Sequence, residues 1–253
     1  MKVTVKDIYN HIDKAAPFDT SMSFDNTGIL VGDKNAEVKK ALVALDISIP
    51  VVEEAKKIGA DLIISHHPII FNPARKVVKG TALYELAVSG MSAICCHTNL
   101  DVSMVCGVNK SLSEVLGMEK FERDENSECM FTAEFEEPVK ASDFAELLKI
   151  KLNAPYTVYT RGTGDKLIKK VGFCSGSGGE FVFDAIGSCD AYLTGEAKHH
   201  ELLFAFENNF PMFTAGHYAT EKIFDRAFIA YLKEEFPEIE FVISEEDCDP
   251  VTV

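Results

Sequence analysis

Along most of the chain, short apolar runs alternate with segments whose apolar residues recur every three or four positions. The first periodic segment, Val5 to Ala15, is a predicted helix with Thr4 as its cap and Pro17 beyond its end. Ala41 to Leu45 reads as a strand leading to Asp46. Ser48 then has the place of a cap and Pro50 that of the first helical residue, with Val51, Val52, Ala55 and Ile58 at helical spacing. Asp61 to Ser65 is a short buried strand ending at His66-His67-Pro68. A helix over Thr81 to Ser89 follows, and then a strand, Ser92 to Cys96, ending at His97-Thr98-Asn99-Leu100-Asp101. A helix from Asn109 to Leu116 closes this half.

The charged stretch Gly117 to Ser127 is the best candidate for a boundary. It divides the chain into an N-terminal α/β lobe, 1–120, and a C-terminal α/β lobe, 121–253. Beyond it, strands are expected at Met130–Phe135, Thr157–Thr160, Leu167–Cys174, Ala191–Leu193, Met212–Thr214 and Glu240–Ile243. Helices are expected at Ala141–Lys151, Glu180–Ile186 and Ala197–Glu207, and along a last segment with Ile223, Phe224, Ala227, Phe228 and Tyr231 on one face. Strands alternating with helices specify βαβ units, so the fold class is α/β, with largely parallel or mixed sheets flanked by helices.

Composition adds exclusions. With 253 residues, 47% hydrophobic and 26% charged, the chain is an ordinary globular one, not collagen-like, coiled-coil or disordered. No apolar run reaches the roughly 18–20 residues of a spanning helix. The polar start, Met1 to Asp13, lacks the apolar stretch of roughly 7–15 residues in a signal peptide, so a cytoplasmic location is expected. A net charge of −15 argues against nucleic acid as a partner. The cysteines, Cys95, Cys96, Cys106, Cys129, Cys174, Cys189 and Cys248, are odd in number and form no Cys-x-x-Cys. They read as reduced, buried thiols, and a zinc-thiolate site has no support.

The histidines change the picture more than the charge does, because only His11 lies outside four short polar segments. Asp46, His66, His67, His97, Asp101, Glu196 and His217 all follow an expected strand, and in open α/β sheets ligands bind beyond the carboxyl ends of the strands. Adjacent residues of an extended chain point to opposite sides, so His66 and His67 suit two ions better than one. Taken alone, that pair reads slightly better as packed or surface histidines. His217 and Glu221 are spaced i, i+4 and face the same way on a helix. Such spacing more often makes a surface ion pair, but the Gly216-His217 entry favours a ligand role. Asp101 suits a bridging carboxylate, and Asn99 or Asp101 fits a plain helix cap equally well.

Glu196 and His200 share a face if the helix starts between them, with His199 pointing outward. This cluster, with Glu201, reads equally as a contact to ligands or substrate and as a solvated helix start. The loop Gly176-Ser177-Gly178-Gly179 fits neither phosphate-binding pattern and reads as a tight turn. Histidines and carboxylates without cysteine suit Zn, Fe, Mn, Ni or Co. Two divalent ions held by neutral histidines and two carboxylates keep a net positive charge, the basis of metal-assisted hydrolysis.

Asp25–Gly32, Ile64-Ser-His-His-Pro68, His97-Thr-Asn-Leu-Asp101, Thr194-Gly-Glu196 and Gly216-His-Tyr-Ala-Thr-Glu221, in this order, together resemble the Nif-three-like dinuclear metal-centre family, whose members are often named type 2 homologues of GTP cyclohydrolase I. The resemblance covers nearly the whole chain. It implies two divalent metal ions on His66, His67, Asp101, His217 and Glu221, with Asp101 as a bridge and His97 close by. It also implies two intertwined α/β lobes and a toroidal homohexamer. The expected function is a metal-dependent hydrolase of a nucleotide-like small molecule, with His97 or Glu196 shuttling protons. The alternative is a non-catalytic, regulatory or metallochaperone-like metal-binding assembly.

Overall fold

In the computed structural model the first helix begins where Thr4 places it. The Thr4 hydroxyl accepts from the Asp7 amide, and the Asp7 carboxylate accepts from the Thr4 amide, a reciprocal capping box. This helix, α1 (Val5–Ala15), buries Val5, Ile8, His11 and Ile12. The structure describes residues 2–125 and 127–246, and Cys248 lies outside them.

The elements that follow are β1 (Gly28–Val31), β2 (Lys40–Ala44), α2 (Ile49–Ile58), β3 (Leu62–Ser65), α3 (Ala82–Ser89), β4 (Ser92–Cys95) and α4 (Thr98–Asp101). Next are α5 (Val108–Leu116), β5 (Glu119–Arg123), β6 (Phe131–Lys140), α6 (Ala141–Lys151), β7 (Val158–Tyr159) and β8 (Leu167–Cys174). The order closes with α7 (Val182–Ala185), β9 (Ala191–Thr194), α8 (His199–Glu207), β10 (Met212–Thr214), α9 (His217–Glu221), α10 (Asp225–Glu235) and β11 (Glu240–Ile243). Ser48 and Thr81 cap α2 and α3 with their hydroxyls, and left-handed Gly59 and Gly90 end them. Ile49, not Pro50, is the first residue of α2.

The described residues form two compact units. One holds the residues up to Gly107 and those from Asp225 onward, and the other is Val108–Phe224. The chain therefore passes between them twice, where the sequence suggested one division near residue 120. Among the described residues no helix is long and apolar enough to cross a membrane.

In the first unit the sheet order is β1-β4-β3-β2-β11, parallel except for β1 at its edge. Apolar side chains of β2, β3, β4, α2 and α3, among them Leu42, Ile63, Val52, Ala55 and Leu86, form one buried cluster. Full burial of each large aliphatic side chain stabilises the fold by about 1.5–3 kcal/mol. The register pairs Ala44 with Ser65 and Ser65 with Cys95, so three parallel strands stop level. Asp46, His66-His67 and His97 therefore emerge at one sheet edge.

The second unit repeats this device. Its sheet order is β5-β6-β8-β9-β10-β7, with β8, β9 and β10 parallel. Cys174 pairs with Thr194 and Thr194 with Thr214, so the following residues, including Glu196 and His217, also share an edge. Phe144 meets Phe213 edge-on in the core at 4.9 Å between ring centroids. The charged stretch expected as a boundary contains the edge strand β5, which pairs with β6. Its charges face solvent, which suits an edge, while Phe121 stacks on Phe131 at 5.0 Å.

Candidate metal centre

In the first unit His66, His67 and His97 each offer one ligand atom, all within 4.8 Å of one another. Each imidazole is held from behind through Nδ1. The His66 Nδ1–H donates to the Cys96 carbonyl at 2.9 Å. His67 Nδ1 donates to Asp46 Oδ1 at 2.9 Å, and His97 Nδ1 to Asp25 Oδ1 at 2.9 Å. These acceptors fix the tautomer and put the lone pair of each ring on Nε2, the arrangement of histidine ligands in metal sites.

Asp25 is itself braced by the Thr98 amide and hydroxyl. Burial pushes its carboxyl up, but the hydrogen bonds from His97 and Thr98 prevail and hold it at about 2, below its ordinary 3.8. Burial pushes the Cys95 and Cys96 thiols well up, so they stay neutral beside the histidines and offer no thiolate.

Asp101 is buried, with Oδ1 3.6 Å from His66 Nε2. It lies inside α4, as does Asn99, so neither is the cap that the sequence allowed; His97 has that place. The Asn99 amide instead donates to the Ala16 carbonyl at 2.8 Å, tying α4 to the end of α1.

In the second unit His217 and Glu221 occupy the two ends of the five-residue α9. His217 Nε2 is 2.9 Å from Glu221 Oε2, and His217 Nδ1 is 3.2 Å from Glu196 Oε2. A neutral imidazole has one N–H. If Nδ1–H goes to Glu196, Nε2 turns a lone pair toward a carboxylate, a repulsion that a proton or a divalent cation removes. With zinc bonds of about 2.0–2.2 Å to nitrogen and oxygen, two ligands of one ion lie about 3 Å apart. The donor set and spacing fit such an ion.

The glycine loop is the wall of this pair. Gly176 has φ +62, and a Cβ there would lie 2.0 Å from Glu221 Oε1. Its amide donates to Thr220 Oγ1 at 3.1 Å, and its carbonyl accepts from the Glu196 amide at 2.8 Å. The tight turn read from the sequence is thus also the surface against which Glu221 is packed. Glu201 is buried and caps α8 by accepting from the Lys198 amide. Because α8 starts at His199, Glu196 stays in the loop, and the one-turn relation expected between Glu196 and His200 does not form. His199 and His200 are exposed.

Two positions carry more than the sequence assigned them. Asp46 was placed at the right edge without a role, and Asp25 lies 72 residues from the histidine it holds, so no local spacing reveals it. His97, expected as a proton carrier, stands in the histidine group.

Comparison with known proteins identifies the family and the fold. The family model described as Duf34/NIF3 (NGG1p interacting factor 3) matches residues 3–250. A GTP cyclohydrolase 1 type 2 homolog from Campylobacter jejuni is 30% identical over 233 residues, covering 90% of this chain and 92% of the relative. One from Clostridium perfringens is 30% identical over 264 aligned positions, covering 97% and 98%. The crystal structure of the Staphylococcus aureus hypothetical protein SA1388 superposes with a TM-score of 0.92 at 27% identity, covering 100% of both chains.

Proposed function

The chain belongs to the Duf34/NIF3 family, and from that premise we propose that it is a dinuclear metal-dependent hydrolase acting on a small, nucleotide-like molecule. The observation that carries this reading is the histidine group, in which His66, His67 and His97 converge with every Nδ1 held by an acceptor. Packed core histidines have no need of such convergence. In this reading His66, His67, Asp101, His217 and Glu221 hold two divalent ions of the Zn, Fe, Mn, Ni or Co class. Bound ions of this class supply Lewis acidity, acidifying water and polarising a C=N, C=O or P–O bond.

The chain's own residues then do the rest. Asp46 and the Cys96 carbonyl keep His67 and His66 in the metal-binding tautomer. Asp25 keeps the proton on His97 Nδ1, so His97 Nε2 can accept a proton and return it to a leaving group. Glu196 orients His217 through Nδ1. A cavity of about 640 Å³, lined by Asp46, Ser48, His67, Ile69, Thr81 and Leu83, opens beside His67. Its volume is that of a small-molecule site.

The reading extends to a toroidal homohexamer. It is supported by the family resemblance and by exposed Phe24, Phe71, Val77 and Val78, which an assembly would cover. Light scattering should give six times the 27.9 kDa chain mass. The function is tested by loading the protein with each metal and assaying nucleotides, phosphoesters and amides. Turnover abolished by His97→Ala is expected. Tight metal binding without turnover on any of them would favour the non-catalytic, storage or regulatory reading.

A further inference from the structure

Two thiols of the second unit lie outside everything assigned above. Cys174, the last residue of β8, has its sulfur 3.6 Å from that of Cys129, just before β6, and both residues are buried. A disulfide needs its sulfurs about 2.05 Å apart, so the pair must close by about 1.5 Å. The strands bearing them are neighbours, with Phe131 paired to Phe173, so the approach is a local shift within one sheet.

Cys174 is also one side of the glycine loop. A Cβ at Gly178 would lie 2.8 Å from the Cys174 sulfur, so the loop backbone rests on this side chain. Two residues earlier the same loop rests on Glu221, where a Cβ at Gly176 would lie 2.0 Å from Oε1. The span 175–179 is therefore packed between the thiol pair and the His217–Glu221 pair.

We propose that Cys129 and Cys174 are a redox modification site: a peroxide joins them in a reversible disulfide that shifts the loop 175–179 against Glu221 and weakens metal holding there. One thiol sulfur attacks the peroxide, the O–O bond breaks, and a sulfenic acid and one water form. The second sulfur then attacks the first, the S–S bond forms and the S–O bond breaks, releasing a second water. Two electrons pass from the two sulfurs to the peroxide, and a dithiol reductant reverses the change.

The test treats the full chain with hydrogen peroxide, blocks remaining thiols with iodoacetamide and maps the peptides. A Cys129–Cys174 linked peptide with a mass loss of about 2 Da, reversed by dithiothreitol and absent in Cys129→Ser and Cys174→Ser, is expected. A link from either cysteine to Cys189, or sulfinic acid at Cys174 with no link, overturns the pair. The second readout is zinc retained after dialysis. It should fall several-fold on oxidation of the wild type and stay unchanged in peroxide-treated Cys129→Ser. Unchanged zinc in the disulfide form overturns the coupling to Glu221. This readout rests on the metal reading above, whereas the mass readout does not, so the two failures are distinguishable.

Discussion

His217 Nε2 and Glu221 Oε2 lie 2.9 Å apart, one helical turn from each other, with Gly176 filling the space beside the carboxylate. The helix supplies the spacing and the left-handed glycine supplies the room. Gly176→Ala places a methyl 2.0 Å from Glu221 Oε1 and forces an L side chain to φ +62. The variant should lose about 2–4 kcal/mol of stability, from left-handed strain plus overpacking, and should bind less metal. Denaturant melts with metal analysis check both. Gly187→Ala, also at positive φ but with open space around its Cβ position, should keep its metal.

Asp25→Asn removes the charged acceptor behind His97 while preserving size. The native carboxyl is held at about 2 against an ordinary 3.8. A lowered carboxyl stabilises the fold fully above its ordinary value and loses that contribution as pH falls through the native one. The variant should therefore be less stable by about 2 kcal/mol near neutrality, with the gap narrowing from about pH 4 downward. Urea titrations at neutral and acidic pH measure this. A gap that stays constant down to pH 2 would show that the carboxylate charge does not carry the difference.

Asp46→Ala leaves all the expected ligands in place and removes only the acceptor of the His67 Nδ1 proton. Loss of such a partner typically lowers metal affinity about 10–100-fold. Competition with a chelating dye should show a drop of that size, with thermal stability nearly unchanged.

His67→Ala and Asp101→Asn should each lose bound metal with the fold retained, and His11→Ala should not. His11 stacks on Tyr231 at 4.2 Å in the packing of α1 on α10. It should therefore cost stability and leave metal content alone, as thermal melts and elemental analysis of the three variants would show.

Much of the fold was legible in local signals. The hydroxyl caps at Thr4 and Ser48 mark helix starts in both sequence and structure. The residues gathered at the sheet edges were legible because each follows an apolar run. Three features were not. β1 is an edge strand that opens on Gly28 and stops before Gly32, and glycines in such a run do not mark a strand. β5 hid in a charged stretch because an edge strand keeps its charges in water and buries little. The Asp25–His97 bond spans 72 residues, and only the folded chain brings its ends together. The double passage between units is of the same kind, since β11 pairs with β2 across about two hundred positions.

The central claim is that the chain holds two metal ions on His66, His67, Asp101, His217 and Glu221. Anomalous scattering across the relevant absorption edges, from crystals of protein purified without chelator, tests it most directly. Two peaks per chain, with no protein ligands other than these five residues, are the expected result. A single peak, or peaks on other side chains, would contradict it.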